Sequence, residues 1–209
     1  YKRQGQYDAE MAAAEARYEP IYERFAEMDF VALSQDPDAQ NLGKSLFASY
    51  CTTCHGSDAR GAAGYPNLTD GDWLWGNSET EIITSIAKGR NAVMTPWAQV
   101  LGSDEAVDNM VRYVQSLSGM VEADESTMSA KTQFTTFCAA CHMPTGTGNK
   151  LMGAPNLTDD IWLYGSSAET IRATIEQGRK GVMPAHGEFL GDKRTKILAA
   201  YVYSLSTAE

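Results

Sequence analysis

Four cysteines stand in this chain, and all belong to one repeated five-residue pattern: Cys51-Thr52-Thr53-Cys54-His55 and Cys138-Ala139-Ala140-Cys141-His142. Two thiols separated by two residues share one side of a helical turn. Both can then reach the two vinyl groups on one edge of a porphyrin, while the next residue projects its imidazole at the iron. This is the c-type haem attachment pattern. On that reading Cys51, Cys54, Cys138 and Cys141 form thioethers, His55 and His142 are the proximal ligands, and the cofactors are two covalently bound haem c groups with their iron. Rival chemistries fit less well. A thioredoxin-like pair wants a βαβ setting, which is missing. A structural zinc site takes four ligands, whereas each pentad offers three and both together six. The remaining histidine, His186, reads as a surface or loop residue, because the matching place earlier in the chain holds Trp97.

A sulfur ligand on the far side of each iron would raise its reduction potential and fill the sixth position. Gly89-Arg90-Asn91-Ala92-Val93-Met94-Thr95-Pro96 matches Gly178-Arg179-Lys180-Gly181-Val182-Met183-Pro184. Met94 lies 39 residues after His55, and Met183 lies 41 after His142. That distance lets each segment cross a haem edge and return on its far face, so Met94 and Met183 are the expected distal ligands, each within its own repeat. Other methionines fit less well. Met143 is tied to the proximal side, Met110 lies on a helix stripe, Met120 and Met128 lie near a linker, and Met152 reads as loop packing.

The elements that must hold these residues also come in two copies. Pro66-Asn67-Leu68-Thr69-Asp70 recurs as Pro155-Asn156-Leu157-Thr158-Asp159, and Trp73-Leu74-Trp75-Gly76 recurs as Trp162-Leu163-Tyr164-Gly165, a period of about 88 residues. Asp36-Pro37 marks a helix start, with Leu42, Leu46, Phe47 and Tyr50 on one face running into Cys51. Ser78-Glu79-Thr80-Glu81 is a capping box, followed by Ile82, Ile83 and Ile86 and a stop at Gly89. Ser103 caps a third helix, with Val107, Met110, Val111, Val114 and Leu117 at helical spacing. The second copy closes on Ile197, Leu198, Tyr201, Val202 and Leu205. The expected fold is all-α: two tandem class I cytochrome c domains, one haem each, over residues 36–118 and 132–209. An acidic linker joins them at 119–131, and a helical extension, interrupted near Pro20, occupies 1–35.

Of the 209 residues 43% are hydrophobic, enough for an ordinary packed core. No apolar run nears the roughly 18–20 residues of a membrane span, and no signal-peptide pattern is visible. A net charge of −10 argues against nucleic acid and suits a basic protein partner.

Taken together, the two pentads, the doubled Asn-Leu-Thr-Asp and aromatic-Gly blocks and the Gly-Arg…Val-Met segments resemble the membrane-anchored diheme subunit of cbb3-type cytochrome c oxidase, over about residues 5–206. The resemblance implies periplasmic haem domains at the bacterial inner membrane, tethered through a segment this sequence lacks. It implies electrons arriving from a soluble cytochrome c or the bc1 complex. They would leave to the monohaem cytochrome c subunit and then the catalytic core subunit, with no substrate turned over on the chain itself. It also implies that the carbonyls of Pro66 and Pro155 receive the proximal histidines, and that Trp73, Trp162, Arg90 and Arg179 address haem propionates. Two departures stand out. Thr95 separates Met94 from Pro96, and Ala130 replaces the glycine found at Gly43, which predicts a slightly wider helix crossing in the second domain. The alternatives are a free periplasmic diheme carrier of the cytochrome c4 type and, in another class, a diheme peroxidase-like enzyme.

Overall fold

Capping residues set where the helices begin. In the computed structural model, which describes residues 2–207, α1 (Lys2–Ala26) carries Pro20 within it. Asp29 then starts α2 (Phe30–Gln35) by accepting from the amides of Val31 and Ala32. Asp36 does the same for α3 (Pro37–Tyr50), with Pro37 at its first position. The first pentad forms the single turn α4 (Thr52–His55). A loop leads to α5 (Glu79–Lys88), whose Ser78–Glu81 capping box forms as expected and whose end is Gly89 at φ 70°. The chain continues through strand β1 (Arg90–Met94), the turn α6 (Ala98–Leu101) and α7 (Asp104–Leu117), capped by Ser103. The second copy repeats this order: α8 (Glu125–Phe137), the pentad turn α9 (Ala139–His142), α10 (Ala168–Gln177), β2 (Arg179–Met183) and α11 (Gly187–Thr207), which breaks at Gly191. Among the described residues no helix is long and apolar enough to cross a membrane.

Two expectations change. The linker is shorter than 119–131, because α8 already starts at Glu125. Asp124 caps it in a reciprocal box with Thr127 and also binds Arg112 of α7. The fold is helix-rich but not purely helical, since β1 and β2 pair antiparallel, with Arg90 opposite Met183 and Met94 opposite Arg179.

That ribbon carries the chain across from one core to the other. One core joins α2 of the N-terminal extension and α3 and α5 of the first repeat to α11 of the second, through Phe30, Leu33, Leu46, Phe47, Ile82, Ile86, Ile197 and Leu198. The other joins α8 and α10 of the second repeat to α7 of the first, through Val107, Met110, Val111, Phe134, Ile171 and Ile175. Polar contacts follow the same exchange. Ser204 of α11 donates to Gln40 of α3 at 2.7 Å, and Arg172 of α10 pairs with Asp104 of α7 at 3.0 Å and with Asp108. The repeats seen in the sequence are therefore not the units that pack, because each gives its closing helix to the other.

The exchanged helices meet at close quarters. A Cβ on Gly43 would lie 2.4 Å from Cβ of Tyr201, so α3 and α11 touch backbone to side-chain root. Ala130 keeps its methyl at the matching place on α8 and is 1% exposed. The N-terminal extension joins the first core through Phe25, also 1% exposed. Lys193 of α11 binds Glu19 of α1, and Lys196 donates to the carbonyls of Ala26 and Met28 at 2.9 and 2.7 Å.

Candidate haem-attachment sites

Each pentad is built where a long helix runs out. The amide of Cys51 still bonds to Phe47 O at 2.9 Å, closing α3, and His55 N bonds to Cys51 O at 2.9 Å, making one further turn. Cys138 and His142 repeat both bonds at 2.8 and 2.9 Å. The four cysteines are free and half-buried. Burial, then the neighbouring thiol, pushes Cys51 and Cys138 up to about 11, so before attachment both are neutral thiols.

The histidines are aimed by a carbonyl. His55 Nδ1 lies 3.1 Å from Pro66 O, and His142 Nδ1 lies 3.2 Å from Pro155 O. A carbonyl only accepts, so Nδ1 carries the proton and the Nε2 lone pair is left for a metal. Burial lowers the pKa of both rings, with the proline bond pushing back, which favours the neutral, ligating form. The proline is brought in by a loop that folds back on the pentad. Gly61 N bonds to His55 O at 2.8 Å, and Gly148 N bonds to His142 O at 3.0 Å. Gly61 sits at φ +67°, where a Cβ would come within 2.2 Å of Tyr65 O, so only glycine lets the strands of this loop pass. Asn67 and Asn156 then turn the chain by accepting from the amides of Thr69 and Thr158 at 2.9 and 3.1 Å, which accounts for the repeated Asn-Leu-Thr-Asp blocks.

Around these loops lie the residues expected near haem propionates. Trp73 packs on the first core and Trp162 on the second, and Trp162 Nε1 is buried with no partner among the described residues. Arg90 donates from Nε to Ser85 Oγ at 2.9 Å and from its terminal nitrogen to Glu81 O at 3.0 Å, with its guanidinium 4.7 Å over Trp75. Arg179 repeats this on Thr174 at 2.9 Å and over Tyr164 at 4.3 Å. The stacking roles of Trp75 and Tyr164 were not read from the sequence, although the doubled aromatic-Gly block was their signal. A cavity of about 380 Å³ lies between the two loops, lined by Pro66, Asp70, Asp72, Pro155 and Trp162 among others. Burial raises the pKa of Asp70 and Asp72, and Asp159 raises both further.

The two methionines lie at opposite ends of the ribbon. Met183 packs on the core that contains Cys51, Leu68 and Trp73. Met94 lies at the opposite end of the ribbon, beside Arg179. His186 sits in the turn after β2, half-buried, with its amide bonded to Ile86 O at 2.9 Å.

These residues fit haem c. Paired free thiols share one turn, each histidine leaves Nε2 for a metal, and the buried indole N–H of Trp162 meets no acceptor among the described residues.

Comparison with known proteins points the same way. The family described as cytochrome c oxidase, cbb3-type, subunit III matches twice, over residues 38–114 and 125–202. The cbb3-type cytochrome c oxidase subunit CcoP of Rubrivivax gelatinosus is 43% identical over 97% of this chain and 66% of its own length. Subunit FixP of Sinorhizobium medicae is 36% identical over the whole chain and 76% of its own length. Subunit CcoP of Cereibacter sphaeroides is 37% identical over 90% of the chain and 70% of its own length. The chain thus spans about two thirds of the length of these relatives. Each of the two family matches encloses one pentad with its proline loop, and the chain belongs to the cbb3-type cytochrome c oxidase subunit III family.

Proposed function

We propose that this chain is the diheme electron relay of a cbb3-type oxidase, taking single electrons from a soluble cytochrome c or the bc1 complex and passing them to the monohaem subunit and the catalytic core. The observation that carries the reading is the doubled proximal geometry, with His55 on Pro66 O and His142 on Pro155 O within 0.1 Å of each other in length. When bound, haem c supplies an iron that gains and loses one electron. The chain's part is to hold its ligands still, because an electron carrier works best when little moves between redox states. Cys51 and Cys54, and Cys138 and Cys141, would hold each porphyrin edge through thioethers. The proline carbonyls lock the imidazole tautomer and ring angle. Met94 and Met183 would supply the sulfur ligands, which would leave the iron without an open position for substrate. Trp73, Trp162, Arg90 and Arg179 would address the haem propionates. The net charge of −10 favours a basic donor whose association slows with salt. The relay would work on the periplasmic face of the inner membrane.

The test is a redox titration of the purified holoprotein followed in the visible and near-infrared. The expected result is two low-spin components, both with the methionine–iron band when oxidised, and pigment that stays with the chain in acid acetone. Extracted pigment, or ready carbon monoxide binding by the reduced protein, would overturn it in favour of a different cofactor or an open-iron enzyme.

A further inference from the structure

We infer that Trp75 and Tyr164 are positioning residues, each for the haem site of the repeat it does not belong to: Trp75 steadies the hairpin that aims His142, and Tyr164 the hairpin that aims His55. This rests on the diheme reading above and deepens it, because chain proximity alone pairs each aromatic with the pentad of its own repeat.

Each proximal histidine takes its aim from a carbonyl at the foot of a short hairpin. In the first repeat Ala62 N bonds to Tyr65 O at 3.0 Å and Tyr65 N to Ala62 O at 2.8 Å, and Pro66 follows directly. In the second, Asn149 N bonds to Ala154 O at 2.9 Å and Ala154 N to Asn149 O at 3.1 Å, and Pro155 follows directly. Whatever holds the hairpin therefore holds the proline oxygen, and with it the bond to Nδ1 of His55 or His142. Both hairpins carry a glycine two residues before the proline, Gly64 and Gly153, at φ +86° and +65°.

Those two glycines meet the aromatics of the opposite repeat, at matching places in the two copies. A Cβ on Gly153 would stand 2.2 Å from the Trp75 ring, and a Cβ on Gly64 would stand 3.3 Å from the Tyr164 ring. The rings thus lie directly against hairpin backbone that only glycine leaves uncovered. Gly64 N also donates to Leu163 O at 2.9 Å, so the first hairpin hangs on the residue next to Tyr164. Neither ring is free to follow a hairpin that moves. The Arg90 guanidinium lies 4.7 Å over Trp75 and is fastened to Ser85 and Glu81 of α5. The Arg179 guanidinium lies 4.3 Å over Tyr164 and is fastened to Thr174 of α10. Each hairpin therefore rests on a ring anchored to a helix of the other repeat, and the aim of each histidine depends on the copy that does not contain it.

The experiment follows the ring Nδ1–H protons of His55 and His142 by nuclear magnetic resonance in the reduced holoprotein with 15N-labelled histidine. Each ring is assigned through its contacts to one haem, and that haem through contacts from its thioether bridges to the cysteine protons. Exchange of each Nδ1–H with solvent reports how often its hairpin opens. In Trp75→Leu the exchange at His142 is expected to rise about tenfold or more while His55 stays within about twofold of its original rate. The reduction potential of the haem at Cys138 and Cys141 should shift with it, and that of the other haem should not. Tyr164→Leu is expected to do the reverse, and Tyr164→Phe, which keeps the ring carbon nearest Gly64, to leave both sites unchanged. In each variant the undisturbed histidine reports that the protein is folded. Faster exchange at the histidine of the substituted residue's own repeat, an equal rise at both, or no change at either would overturn the crossed support. Where a variant fails to hold a haem, loss confined to the opposite pentad supports it, and loss at the pentad of its own repeat or at both overturns it. Absence of a covalently held haem at either pentad of the unsubstituted protein would instead overturn the diheme reading itself.

Discussion

One residue beside the second pentad breaks the symmetry of the two sites at a cost. Gly56 follows His55 at φ 80°, ψ 157°, a conformation nearly confined to glycine, and Met143 adopts φ 64°, ψ 155° at the matching place. Holding a side chain there costs about 1–3 kcal/mol. The Met143 side chain is 41% exposed, so little packing offsets that cost. Met143→Gly is therefore expected to stabilise the holoprotein by about 1 kcal/mol net, after glycine's extra unfolded-state entropy of roughly 0.5–1 kcal/mol. Denaturant titration followed by haem absorbance checks this, and an unchanged or lower midpoint would refute it. At this scale the pentads were fully legible, because thiol and imidazole chemistry at fixed spacing has few other uses. The Arg90–Trp75 and Arg179–Tyr164 stacks were not, since an arginine and an aromatic fifteen positions apart have no periodicity to link them.

Among the elements, the contact between α3 and α11 is the tightest. A methyl added at Gly43 would lie 2.4 Å from Cβ of Tyr201, an atom fixed to its backbone that cannot swing aside. Gly43→Ala should therefore destabilise the protein by about 1–3 kcal/mol through overpacking, despite alanine's better helix propensity. Thermal unfolding measures the sign directly, and a neutral or raised midpoint would show that the helices can part without loss. The helices were legible one by one, because capping residues and apolar stripes are local. Ser78, Ser103 and Asp36 all cap where expected. The ribbon escaped notice because five residues, Arg90–Met94, carry only one strongly β-favouring side chain, Val93. The early start of α8 was hidden by acidity: Asp124 and Glu125 read as linker composition, yet the first is a cap and the second suits a helix N-terminus.

For the molecule as a whole, exchange of closing helices decides how it unfolds. Neither core can lose its helices without stripping a helix from the other repeat. Thermal unfolding should therefore be a single transition, with both haem sites and the helical signal changing at one midpoint. Two separated midpoints, one for each haem, would contradict the exchange. The duplication was plain in the sequence, whereas the exchange was not. The stripe on α7 (Val107, Met110, Val111, Val114) and that on α11 (Ile197, Leu198, Val202) are near copies, so either could complete either core. The exchange is accompanied by the antiparallel ribbon and by the ion pairs of Arg172 with Asp104 and Asp108, which connect residues more than sixty positions apart.

The fastening of α1 to α11 has a mechanical meaning. Phe25 is sunk in the first core, while Glu19, Ala26 and Met28 are gripped by two lysines of the chain's last helix. A load applied along α1 is thus passed directly to α11, and through it to α3 and α5.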